Sequence, residues 1–356
     1  MAAYTTVNKP TDYFRTKLFT GNQTARSLTF DESNNMQPDL VWIKPRDNGS
    51  WSHNLTDSVR GAGKGIFADL NNGEYDYGTG TNGSVRSFDT NGFSIGTATQ
   101  VNNNSSNIVA WNWKANGAGS ANTAGTINST VSVNTTAGFS IVKWTGNGVA
   151  GASIGHGLGV VPKTIIVKRL NDTANWTIYH HKLGNTHRLE LNTTTASTSD
   201  AGAWNNQTPT TTVFYTGNNL TVGNNGSNYI AYCFAEKRGY SKFGTYTGTG
   251  SADGAFAYTG FKPAFVIYKG AVGANSADNW EMVDNKRSVF NGVENVLYPN
   301  LNNVEGTGVT TRMDLLSNGF KMRTGANDYN GSGQTYIYIA FGQSLVGSNN
   351  IPCTAR

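Results

Sequence analysis

The chain has 356 residues, of which only 14% are charged, with 43 glycines and a formal net charge of +5. With no run of Lys or Arg, so small an excess argues against a nucleic-acid-binding arm. No apolar stretch approaches the roughly 18 residues of a membrane span, and aromatic residues at 11% exclude a disordered chain.

Charged helix formers are scarce and Asn, Thr, Ser and Gly abundant, which predicts an all-β protein with polar turns. Residues 1–14 read as a polar leader; Met1-Ala2-Ala3-Tyr4 lacks the basic start and apolar centre of a signal peptide. A first unit is predicted over 15–116. Residues 117–138 follow as a Gly/Ala/Ser/Thr-rich linker expected to hinge that unit, with a strand possible near its end. A second unit spans 139–237 and a third 238–345, joined without a tether and so expected to pack rigidly. Residues 346–356 read as an extended tail. Cys233 and Cys353 are the only cysteines, too few and too unalike in context to predict a structural disulfide.

The three units repeat one another. Each has an aromatic-Thr-Gly step: Phe19-Thr20-Gly21, Trp144-Thr145-Gly146 and Tyr246-Thr247-Gly248. Next comes an apolar strand from a proline to a lysine: Pro38 to Lys44, Pro162 to Lys168, Pro263 to Lys269. Four or five successive apolar positions mark a strand covered on both faces, and proline at its start gives up no ladder bond. A tryptophan follows (Trp51, Trp176, Trp280), and an alanine-centred strand closes each unit around Ala110, Ala231 and Ala340. Landmarks in one order, three times, identify a tandem triplication. Asn91-Gly92 and Asn318-Gly319 predict hairpin corners. Short strands between polar turns predict three antiparallel β-sandwich units of the jelly-roll type, each of about 100 residues.

Landmarks present in every unit read as scaffold, and specific function is expected where the copies differ. The candidate contact residues are Tyr75 and Tyr77 in a Tyr/Gly loop, His180 and His181 in the second unit, and Trp204, which lies off the repeat register. Gly61-Ala62-Gly63-Lys64-Gly65 lacks the first Gly and the final Ser or Thr of a phosphate-binding loop and reads as a surface turn. Asn327 to Gly333 carries alternating oxygen donors but no bidentate Glu at calcium-loop spacing, so it too reads as a turn. The acid clusters Asp69/Glu74/Asp76 and Glu281/Asp284 do not recur between units, and no catalytic, cofactor or metal residues are assigned.

Phe19-Thr20-Gly21-Asn22, Pro38 to Lys44, Leu55 to Gly61, Tyr229 to Phe234 and Thr259 to Phe265 resemble a family of uncharacterised virion-associated proteins of marine tailed bacteriophages. The resemblance runs from about Tyr13 to Gln343. It implies lectin-like β-sandwich repeats in a non-enzymatic structural protein of the virion exterior, assembled in the host cytoplasm and released by lysis. The expected role is a tail fibre or tail-associated adhesin, with leader and first unit docked to other virion proteins and the rest facing a host-surface glycan. Self-association into a trimer is expected for a fibre, although three units in one chain can mimic a trimer. A capsid decoration protein and a glycan-degrading tailspike enzyme are the rival readings.

Overall fold

The structure is a computed structural model describing residues 5, 7–273, 278–307 and 311–344. The tail from 346 onward, with Cys353, lies outside the described residues. Strand accounts for 41% and helix for 5%, and every named strand pair is antiparallel.

The same four-strand order occurs in all three repeats. An opening strand (Phe14–Thr20, Phe139–Thr145, Ser241–Thr247) pairs with a closing strand (Asn107–Trp113, Asn228–Phe234, Thr335–Gly342). The closing strand pairs with the lysine strand (Leu40–Pro45, Thr164–Arg169, Pro263–Val272), which pairs with a fourth strand (Asn54–Asp57, Thr177–His180, Glu281–Asp284). A smaller sheet accompanies each: Arg26–Thr29, Gly92–Ile95 and Val85–Asp89 in the first repeat, Ala152–Gly155 with Val213–Thr216 in the second, and Phe256–Tyr258, Gly319–Met322 and Met313–Leu316 in the third.

Glycine ends each aromatic-Thr-Gly step for a steric reason. A Cβ at Gly21, Gly146 or Gly248 would lie 1.9, 2.5 or 2.1 Å from the carbonyl oxygen of Asn103, Asn224 or Gly331, in the turn before the closing strand. The Asn-Gly corners fall one residue off the prediction. The two-residue turns are Thr90-Asn91 and Ser317-Asn318, and Gly92 and Gly319 already pair within the ladder.

Period-two alternation sends each large sheet into two cores. One face meets its own smaller sheet: Val41, Ile43, Ile108 and Ala110 in the first repeat, Ile165, Val167 and Ala231 in the second, Val266, Tyr268 and Ala340 in the third. The other faces of all three converge on one common core, with Trp42, Trp111 and Trp113 beside Ile166, Tyr232 and Phe234 and beside Phe265, Ile267 and Phe341. At its centre Trp113 packs edge-on against Phe265 (5.8 Å) and Phe234 (6.5 Å), and Phe14 stacks on Phe341 (5.4 Å). A void of about 30 Å³ lies among these side chains; with an apolar lining it offers water no partners.

Two expectations fail here. The first repeat is not hinged, because its sheet contributes to the common core. Nor is 117–138 loose: the strand expected near its end is present at Ser129–Asn134, but it pairs with Ser120–Asn122 and extends the second repeat's sheet at its opening strand. The leader is likewise built in, since Val7 is buried in the common core and Tyr13 packs edge-on against Tyr240 at 6.1 Å.

Candidate functional site

The repeats meet head to tail at three seams, and matched residues cross each one. Phe67, Glu190 and Tyr298 hold equivalent positions in a strap that each repeat lays against the next. Trp176 Nε1 donates to Phe67 O and Trp280 Nε1 to Glu190 O, both at 2.8 Å; in the first repeat the corresponding ring is His53, faced by the backbone of Tyr298 and Leu301. Below these, Glu74 N donates to Leu170 O (2.6 Å), Ser197 N to Ala271 O (3.0 Å) and Glu305 N to Arg46 O (2.6 Å). Three heterologous contacts of one kind close a ring, the condition for cyclic rather than open assembly.

The predicted scaffold residues mostly hold these positions. Pro38, Pro162 and Pro263 are buried, although only Pro263 lies inside its strand. Lys44, Lys168 and Lys269 are fully buried. Lys168 Nζ donates to Asn71 O across the first seam and to Ala174 O, and Lys269 Nζ to Thr194 O across the second and to Asp278 O. Lys44 stays within its repeat, on Pro45 O and Asn48 O. Burial lowers their pKa values, Lys168 to about 7 and Lys44 and Lys269 to about 8. Trp51 is the exception. The slot next to the fourth strand, filled by Trp176 and Trp280, belongs in the first repeat to His53, whose Nδ1 accepts from Trp42 Nε1 at 3.0 Å; Trp51 is only partly buried. Spacing from the lysine misled because the loop lengths differ.

Of the candidate contact residues, Trp204 is buried at 1% exposure against Tyr179, so it is no surface contact. His180 is buried too. It faces the backbone of Tyr338 at the second seam, and burial lowers its pKa to about 3. His181 is partly buried there, with Nε2 2.8 Å from Phe243 O. The fold does not bring the histidines together with the tyrosine loop, which sits at the first seam.

That loop is exposed. Tyr75 is 41% exposed, and its ring stacks on Tyr77 at 6.2 Å and 30°, with Phe67 edge-on to both. Tyr75 and Asp76 form a short strand paired to Lys64 and Gly65. Asn72 Nδ2 donates to Tyr75 Oη at 2.9 Å, and Asp76 accepts from Lys64 Nζ at 2.5 Å. Burial pushes Tyr77 up to about 12, so its phenol stays protonated. The result is an apolar step with polar groups at its rim, which suits a ring with one apolar face and hydroxyls at its edge.

The suspected acid clusters are tied up in braces. Asp69 accepts from His53 N, Glu74 from Arg60, Asp284 from Arg287 and Trp111, and Glu281 from Tyr268. Asn330, in the candidate calcium turn, is buried, and its amide donates to Thr249, Ser251 and Thr324.

These features define a ring-closed all-β protein with an exposed aromatic step. The chain belongs to the family DUF7483, described as a domain of unknown function, which matches residues 9–344. No curated protein and no solved structure matches it.

Proposed function

We propose that this chain is a non-enzymatic structural protein of a bacteriophage virion exterior, acting as a tail fibre or tail-associated adhesin, and that its three repeats are lectin-like β-sandwich units. The observation that carries this reading is the Tyr75/Tyr77 step, raised on a body whose repeats are braced on one common core. A host-surface glycan is the proposed ligand, bound weakly per copy and strongly through many copies. A glycosidase needs two acids facing one cleft about 5–10 Å apart, whereas the acid clusters singled out from the sequence are engaged by Arg60, Arg287, Lys64, Tyr268 and backbone.

The threefold disposition of the repeats also favours a capsid decoration role, in which one chain caps a threefold position of the shell. Antibody labelling of intact particles tests both. Label on the tail with a few to a few tens of copies supports the adhesin, and label over the head with hundreds supports decoration. Shortening of host polysaccharide by the purified protein would overturn the non-enzymatic reading.

A further inference from the structure

The seams differ in what covers their outer edge. At the first, Asp39 accepts from Ala115 N and Gly117 N, Ser58 Oγ donates to Gly117 O, and Asn116 N donates to Ser132 Oγ. The segment expected to be a linker therefore fills that edge. The second and third seams keep open clefts, of about 380 Å³ and about 590 Å³.

In charge the two clefts are unlike. The larger sets Lys9, Arg15 and Lys286 against Asp31 and Glu32, with Arg15 3.5 Å from Glu32. The smaller is lined by Lys163, Lys182, Lys242 and His181 with a single acid, Glu236. That acid is taken by Lys242 at 2.7 Å. Among the described residues, neither the Lys163 nor the Lys182 ammonium has a hydrogen-bond or ion-pair partner. The strand registers place Lys163 opposite Asp39 and Ala264 in the other repeats, and His181 opposite Ser58 and Asn285. Lys182 and Lys242 match Lys286 and Arg15 of the larger cleft, so Lys163 and His181 set this seam apart. It holds three lysines against one acid, where the larger cleft has three cations against two acids.

We propose that the cleft at the second seam, between Lys163, Lys182 and His181 of the second repeat and Lys242 of the third, binds an oxyanion: a sulfate, phosphate or carboxylate group. Two unpaired ammonium groups in a concave site raise the local concentration of anions, and both supply charge-assisted hydrogen bonds. His181 directs its Nε2–H at Phe243 O, and burial and the neighbouring lysines lower its pKa, so the ammonium groups carry the charge of the site. This assignment is independent of the virion reading, because it concerns only what the cleft holds.

Equilibrium titrations with inorganic sulfate, inorganic phosphate, citrate, sulfated dextran and uncharged dextran test it. The native chain is expected to bind at least one of the anions and not uncharged dextran, with affinity falling as ionic strength rises from about 0.05 M to about 0.5 M. The double variant Lys163→Ala/Lys182→Ala, which alters no core residue, is expected to bind at least about tenfold more weakly with an unchanged melting temperature. Lys321→Ala, on the third repeat's smaller sheet, is expected to bind as the native chain does. Native-like affinity in the double variant, no binding of any anion, or equal binding of uncharged dextran would overturn the proposal. The sulfate, phosphate and citrate arms identify which group is held.

Discussion

At the first and third seams an aspartate, an arginine and a glutamate occupy the slot that neutral groups fill at the second. Asp57 accepts from Arg60 Nε (2.5 Å) and from Tyr232 Oη of the next repeat (2.8 Å), and Arg60 reaches Glu74. Asp284 does the same with Arg287 and Trp111, and Glu305 bridges Arg287 to Arg46. At the second seam the residues matching the aspartate, arginine and glutamate are His180, Leu183 and Ser197, with Ile339 in place of Tyr232 and Trp111, yet the strap bonds keep their geometry. Repeat-to-repeat docking is therefore set by backbone bonds and the common core. The buried ions are one of two ways to fill a fixed space, in line with the small net worth of buried ion pairs. Freed from that network, the second seam carries the unpaired cationic cleft on its rim.

The contrast makes its largest prediction for cutting an ionic brace. Arg287→Ala leaves Asp284 buried without its cation and is expected to cost about 3–5 kcal/mol in denaturant unfolding, with Arg60→Ala similar. Leu183→Ala, at the matching position, is expected to cost clearly less. An equal loss would mean that the two kinds of seam are not energetically distinct. Trp280→Ala removes a fully buried ring and its bond to Glu190 O, and is expected to cost about 3–5 kcal/mol whichever filling its seam uses.

The buried lysines predict an unusual pH profile. Their folded pKa values, about 7 to 8, lie below the unfolded value of 10.5. The unfolded chain thus binds more protons between about pH 7 and pH 10, and stability rises with pH across that window. Below it both states are protonated and the penalty is fully present. Melting temperatures from pH 7 to 9.5 are expected to climb, and Lys168→Met is expected to flatten the climb. A profile that falls across this window would show that the carbonyls around each ammonium outweigh its burial. The smallest expected effect on stability is at the surface step. Tyr75→Ala should change unfolding by no more than about 0.5 kcal/mol while weakening retention on host glycan. A large stability loss there would move Tyr75 from surface to scaffold.

Strand identity and repeat count are legible in the residues. The runs at Leu40–Ile43, Ile165–Val167 and Phe265–Tyr268 are apolar at successive positions because both faces are covered, and glycine after each aromatic-Thr pair reports a backbone contact local to the repeat. Trp204 and His180 lie buried rather than at the surface because exposure depends on which distant segment covers a residue. Trp51 lies outside the slot that His53 fills because spacing counts residues, whereas the slot is defined by strand register. The Gly/Ala/Ser composition of 117–138 describes a chain able to stay loose, but an unpaired opening-strand edge and Asp39 give it partners.

Composition and patterning thus determine the β class, the opening, lysine and closing strands of each repeat and the double burial of the lysine strand, since these rest on alternation and turn chemistry within about 100 residues. Neither says what lies against the second buried face. That the three faces cover one another, that the ring closes, that one seam is filled and another left cationic, all follow from contacts between residues far apart in the chain, such as Trp280 with Glu190, Trp111 with Asp284 and Tyr232 with Asp57. Such contacts are set by shape and burial in three dimensions and leave no period in the chain.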